Sequence, residues 1–258
     1  MAKKWAKFPH ADKAYVYDGA SLKQHWARLH RGDGEAFPKD ASAVEAWRLY
    51  HAGDFGRAVE TGTTARGAAL NAAIKAQAIY ANYLEKQEKA KLSLFEEAAE
   101  WASERRSAMP KDANAHYLYA YALGRYSQGI SVAKALAQGF GGKVKDALTT
   151  ALKLAPSHAD AHTAFGAYQA EVINKVGGLV AGMTYGAKKE SALEHYQKAL
   201  KLNPDSAIAR IEYANGLILL FGKERLDEAT KLYEQAAKCK PADAMERLDV
   251  ELAKEELS

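Results

Sequence analysis

A single cysteine, Cys239, stands in 258 residues. No disulfide can therefore form within the chain, and a reducing compartment, the cytoplasm, is the expected setting. No run of about 18 consecutive apolar residues exists, the length a helix needs to cross a bilayer, so no transmembrane segment is expected. The first ten residues carry lysines but no apolar stretch of signal-peptide length. Charge of one sign is also missing: 36 Lys+Arg against 32 Asp+Glu leave a formal charge of +4. That is too little to mark a nucleic-acid-binding face, and no nucleic acid is expected as a partner. Alternating apolar runs between turn residues, the mark of strands, are absent, while the helix formers Ala, Leu, Lys and Glu dominate. With 48% hydrophobic and 26% charged residues, the chain is a folded protein of one or two domains. A disordered tail, a collagen-like fibre and a disulfide scaffold are excluded.

Proline is scarce too, with six in all, yet four share one phrase, Pro-x-x-Ala. Pro110 leads to Ala113 and Ala115, Pro156 to Ala159 and Ala161, Pro204 to Ala207 and Ala209, and Pro241 to Ala244. Each phrase follows one amphipathic segment and precedes another, so each proline marks a helix stop and the next start. The repeating unit is helix, turn, helix.

Upstream of the last two prolines, Ala192, Tyr196 and Ala199 match Ala229, Tyr233 and Ala236 at identical spacing. Offsets of four and three put these residues on one helical face, where small side chains admit a neighbouring helix and the ring fills the gap. The pattern resembles the tetratricopeptide repeat, and Tyr119-Ala120, Phe165-Gly166 and Tyr213-Ala214 sit where that family carries a large-to-small pair. The resemblance implies an all-α, right-handed superhelix of antiparallel helix pairs. It is strongest over residues 110–241, with degenerate pairs over 41–109, an N-terminal arm and short helix in 1–40, and a capping helix in 242–258 whose polar face seals the open end. Helices are expected near 20–31, 42–52, 55–62, 65–87, 90–108, 111–126, 143–154, 158–174, 188–202, 205–221, 225–239 and 242–256. Trp5, Tyr15 and Tyr17 predict that the arm packs on the body.

The four prolines lie 46, 48 and 37 residues apart, against about 34 for the standard unit. The surplus falls at 127–143 and 174–189, two insertions rich in glycine and apolar residues that contain lysine and no carboxylate. Surface loops are normally polar, so such segments either pack on the body or cover something. One reading adds helical turns to the neighbouring unit. A second encloses a ligand pocket, and a third touches a membrane surface. Elongated units with apolar insertions are similar to the T-component of tripartite ATP-independent periplasmic transporters, a family whose members pair with a solute-binding protein and form oligomers with apolar clefts. That resemblance implies a cleft beside Ile130, Val132, Leu136, Phe140, Val176, Leu179, Val180, Met183 and Tyr185.

Repeat phase places Asn114, Tyr117, Tyr121 and Arg125, then Asp160, Thr163, Ala167 and Glu171, then Ile208, Ile211, Asn215 and Ile218 on the concave groove. Rings, one guanidinium and two carboxylates suit the grip of a peptide. Alternatively the tyrosines and isoleucines are core. His158 and His162, four apart, lack a third ligand and the glutamate of a zinc helix. Gly139-Phe-Gly-Gly-Lys143 has alanine and valine where a phosphate loop needs glycine and a hydroxyl. Arg31-Gly32-Asp33 reads as a helix stop with a turn. His116 and His162 share a repeat position with Arg210 and Arg247, which points to a structural role. No nucleophile with a base is visible, so no enzyme, metal or cofactor is expected. The function this leaves is a scaffold that binds a protein or peptide in its groove or assembles with itself. The alternative is a carrier of a small apolar or anionic ligand in a cleft between the insertions.

Overall fold

The computed structural model describes residues 5–258, and among them there is no strand. Short helix α1 (Gly19–Leu29) precedes the paired helices α2 (Ala41–His51) and α3 (Phe55–Ala65), then α4 (Leu70–Tyr83) and α5 (Glu88–Ala108). The next pair is α6 (Ala113–Gln128) and α8 (Phe140–Leu154), with α7 (Val132–Ala137) inserted between them. After α9 (Ala159–Val176) come the single turn α10 (Gly178–Val180), a π-helical turn at Ala181–Tyr185, and α11 (Lys189–Leu202). The array ends with α12 (Ala207–Phe221), α13 (Leu226–Ala237) and α14 (Ala244–Glu255). This is an all-α tetratricopeptide-type solenoid. Where one long helix was expected over 65–87, the chain breaks at Arg66 and Gly67, both at positive φ (55° and 53°), before α4 begins.

The proline phrase has a physical content. Two residues after each proline stands the N-cap of the following helix: Asp112, His158, Ser206 and Asp243 accept from the backbone N–H of Ala115, Ala161, Ala209 and Glu246. Six residues after it, His116, His162 and Arg210 reach back to the carbonyls of Pro110, Pro156 and Pro204, at 3.0, 3.1 and 2.7 Å. The first contact satisfies an N–H that a helix start leaves open, and the second ties the helix to a carbonyl of the preceding turn. Between units, fully buried Tyr196 stacks on Tyr213, with ring centroids 5.1 Å apart, and lies against Gly166 and Gly216. A Cβ would meet that ring at 2.9 Å from Gly166 and 2.6 Å from Gly216, so glycine is required on both flanking helices.

The N-terminal arm packs on the body: Trp5 sets its ring edge-on to Tyr80 at 4.5 Å, and Phe8 does the same to Phe55 at 6.3 Å. The two ends of the array also meet. The Tyr17 hydroxyl donates to the carbonyl of Ala242, Arg28 holds Glu246 through both guanidinium nitrogens, and His51 contacts Asp243. Helix α14 therefore does not simply present a polar outer face. Leu248, Asp249, Val250 and Ala253 are buried against the array, and α4, α6, α9, α12 and α14 surround a central hollow.

Candidate functional site: the central hollow

Each inner helix contributes one face at spacings of three or four, the period that stacks side chains along a helix. Lys75, Ile79 and Tyr83 come from α4; Tyr117, Tyr121 and Arg125 from α6; Asp160, Thr163, Ala167, Glu171 and Lys175 from α9. Ile208 and Glu212 of α12 and Met245 and Asp249 of α14 close the wall. Together they bound a mainly apolar cavity of about 190 Å³. A dry cavity of about 150 Å³ already takes a benzene ring. A shallower basin of about 520 Å³, which adds Asn215, Ile218 and Leu219, continues it toward solvent.

Groove and cleft, distinct in the sequence, meet here. Of the groove candidates, Tyr117, Tyr121, Arg125, Asp160, Thr163 and Glu171 line the cavity. Of the cleft candidates, Val132, Leu136, Phe140, Val176 and Tyr185 line the same cavity. Asn114 lies elsewhere, donating to Glu35 at 2.7 Å and contacting His158 at 2.9 Å. Asn215 accepts from the Tyr233 hydroxyl. Ile130 packs on the core, whereas Leu179, Val180 and Met183 are solvent-facing and do not line the cavity. Among the described residues no group of three or more side chains could hold a metal. His158 caps α9, and His162 pairs with His195 at 2.8 Å.

Behind Lys75 and Asp160 lies the connection between α1 and α2, where sequence reasoning saw only a turn. Gly32 accepts from the backbone N–H of Asp160 at 3.0 Å, and buried Asp33, the end of the Arg31-Gly32-Asp33 turn, accepts from Lys75 at 2.5 Å. Burial opposes the Lys75 charge, yet Asp33 and Asp160 hold its pKa well above the ordinary lysine value. Asp160 itself is pushed up to about 6 by burial, with Lys75 working against the rise. From Asp33 a chain of hydrogen bonds runs on behind the cavity: Asp33 to His30 Nδ1 at 2.8 Å, His30 Nε2 to His51 Nε2 at 3.2 Å, and His51 Nδ1 to Asp243 at 2.7 Å. A carboxylate stands at each end of the chain and the two imidazoles meet at its centre. Burial pushes the His30 pKa down to about 4, with Asp33 working against the fall. At the mouth Arg125 pairs with Glu212 at 2.6 Å, and Lys175 with Glu171 at 3.6 Å. On α14, burial raises the Asp249 pKa well above the carboxylate range, and the Tyr83 hydroxyl contacts it at 2.5 Å.

Glu35, in the same connection, accepts from Asn71 and Asn114. Burial, reinforced by Asp33 and Asp112, pushes its pKa from 4.5 up to about 7. The folded protein thus keeps a proton that the unfolded chain releases. The associated stability is present below 4.5 and lost as pH rises through about 7. Glu35→Gln mimics the protonated carboxyl. Between about pH 5 and about pH 8 it should gain roughly 2–3 kcal/mol relative to wild type. Urea unfolding at both pH values tests this, and a pH-independent difference between the two proteins would refute it.

Among the described residues no helix is long and apolar enough to cross a membrane. In comparisons with known proteins, the thermophilic TPR protein TTC0263 of Thermus thermophilus has a similar fold. Its crystal structure gives a TM-score of 0.56 over 83% of this chain and 97% of that one, at 20% identity. No curated protein matches the sequence. The family model described as "Regulator of microtubule dynamics protein 1-3" matches residues 65–258, which spans every inner helix from α4 to α14 and both insertions. On that match, the chain belongs to the regulator of microtubule dynamics protein 1-3 family.

Proposed function

We propose that the chain is a non-catalytic, tetratricopeptide-type interaction module that receives an apolar group of a protein partner in its central hollow. The observation that carries this reading is the convergence of groove and insertion residues on one apolar cavity. Because the inner helices surround the hollow, a peptide has no route to run through it. A chain end or a protruding side chain enters from the mouth, where Arg125, Lys175, Glu171 and Glu212 offer charged contacts to the rest of the segment. The family description supports a partner that takes part in the regulation of microtubule dynamics.

A second reading is favoured by the apolar interior with Lys175 and Arg125 at its entrance: a small amphiphile with an anionic head occupies the cavity. Ala167→Trp, which projects an indole into the hollow, addresses both. Cosedimentation with microtubules and their associated proteins should weaken by roughly thirtyfold, the effect of losing an interface anchor worth about 2 kcal/mol, with thermal stability retained. Unchanged cosedimentation would remove the protein-partner reading. Native mass spectrometry of wild type and variant tests the amphiphile: a bound small mass present only in wild type supports it.

A further inference from the structure

The two insertions carry an exposed apolar surface of which Leu179, Val180 and Met183 take no part in the hollow. Leu179 is 77% exposed and Met183 81% exposed, with Val180 between them on the glycine-flanked turns after α9. Across the mouth, α7 exposes Val132 and Leu136, both over 40%. The segments adjoin: the Tyr185 ring stands where a Cβ on Gly141 would be, 2.8 Å away, and the Lys145 ammonium lies beside Gly186. Neither 129–145 nor 172–189 contains a carboxylate, while they hold six lysines. Lys175 pairs with Glu171, and Lys189 donates to the Leu220 carbonyl. Lys134, Lys143, Lys145 and Lys188 make no ion pair with a described residue.

Exposed leucine and methionine at these fractions lose favourable free energy in water, and monomeric surfaces rarely cluster them. Val132 and Leu136 reach the rim of the cavity, but no pocket frames Leu179, Val180 and Met183, as it would at a protein hot spot. Apolar tips set among unpaired ammonium groups complement the interface of an anionic bilayer, where short side chains enter the headgroup boundary and lysines meet phosphates. We infer that the rim formed by the two insertions docks the protein reversibly on anionic lipid surfaces. The inference stands apart from what occupies the hollow, since Leu179, Val180 and Met183 do not line it.

Vesicle cosedimentation of the full chain tests it, with phosphatidylcholine alone against phosphatidylcholine containing about 30% phosphatidylserine. Binding is expected to the anionic vesicles only, and to fall steeply on raising salt toward about 1 M, where the Debye length shrinks to about 3 Å. Leu179→Asp/Met183→Asp should weaken binding at least about tenfold, and a Lys-to-Glu change at 134, 143, 145 and 188 should abolish it. Circular dichroism and the unfolding midpoint report whether each variant is folded. The wild-type salt and lipid dependence decides the matter should a variant fail. Equal binding to neutral vesicles, no binding to either, or variants that bind vesicles normally while losing an acidic protein partner would each overturn the inference.

Discussion

Replacing Asp243 by alanine is expected to remove about 2–4 kcal/mol of unfolding free energy, a lost N-cap at about 1 kcal/mol together with a buried donor left unpaired at about 1–3 kcal/mol. One carboxylate serves two ends. Its Oδ2 takes the proton of His51 Nδ1 at 2.7 Å, and its Oδ1 caps α14 through the Glu246 N–H at 2.8 Å. At 2% exposure the site leaves the His51 imidazole without an alternative acceptor. Asp243→Asn keeps an N-cap and loses the charge, so it should recover about 1 kcal/mol. Burial disfavours the Asp243 charge, but the His51 contact holds its pKa below the usual value of 3.8. A depressed carboxyl stabilises above the unfolded pKa and ceases to do so as pH falls below it, so the penalty should be full at neutral pH and shrink in acid. Because the contact joins α14 to α2, hydrogen exchange should quicken in α14 and not in α8 or α11. A loss under about 1 kcal/mol, or uniform exchange, would show that the ends of the array are held by packing alone.

The second large effect concerns Tyr196. Tyr196→Ala should cost about 3–5 kcal/mol, as for other fully buried aromatics, because the ring is the filler between Gly166 and Gly216. Tyr196→Phe should behave oppositely. The buried Tyr196 hydroxyl has no hydrogen-bond partner, so deleting it removes an unsatisfied group and leaves stability unchanged or higher. Gly216→Ala should cost about 1–3 kcal/mol through overpacking against the same ring. Thermal and urea unfolding of the three variants separate these outcomes. A Phe variant as damaged as the Ala variant would mean that the hydroxyl carries an interaction the packing does not reveal.

The helix pairs were legible because their signals are local. A proline, a cap two residues on and an alanine after it act within one turn of chain, and the Ala-Tyr-Ala face needs only helical periodicity. That periodicity also placed Tyr117, Tyr121, Arg125, Asp160, Thr163 and Glu171 together. Asn215 lines the basin beyond the cavity while accepting from Tyr233, whereas Asn114 shares the register but turns to partners from distant elements, Glu35 and His158. His30 and His51 were passed over, and Asp33 was read only as part of a turn, because their meaning lies in residues up to 192 positions away.

By itself the sequence determined the class of fold, the number and rough limits of most helices, and the presence of two apolar, lysine-bearing insertions, since propensity, capping and amphipathic period are properties of neighbouring residues. Only the tertiary structure decided that the array curls until α14 meets α1 and α2, and that groove and insertions share one cavity. It alone decided that five ionisable side chains from four segments line up behind the cavity. The small rotation between successive pairs sets those meetings. It accumulates over the whole chain and leaves no mark in any local stretch of residues.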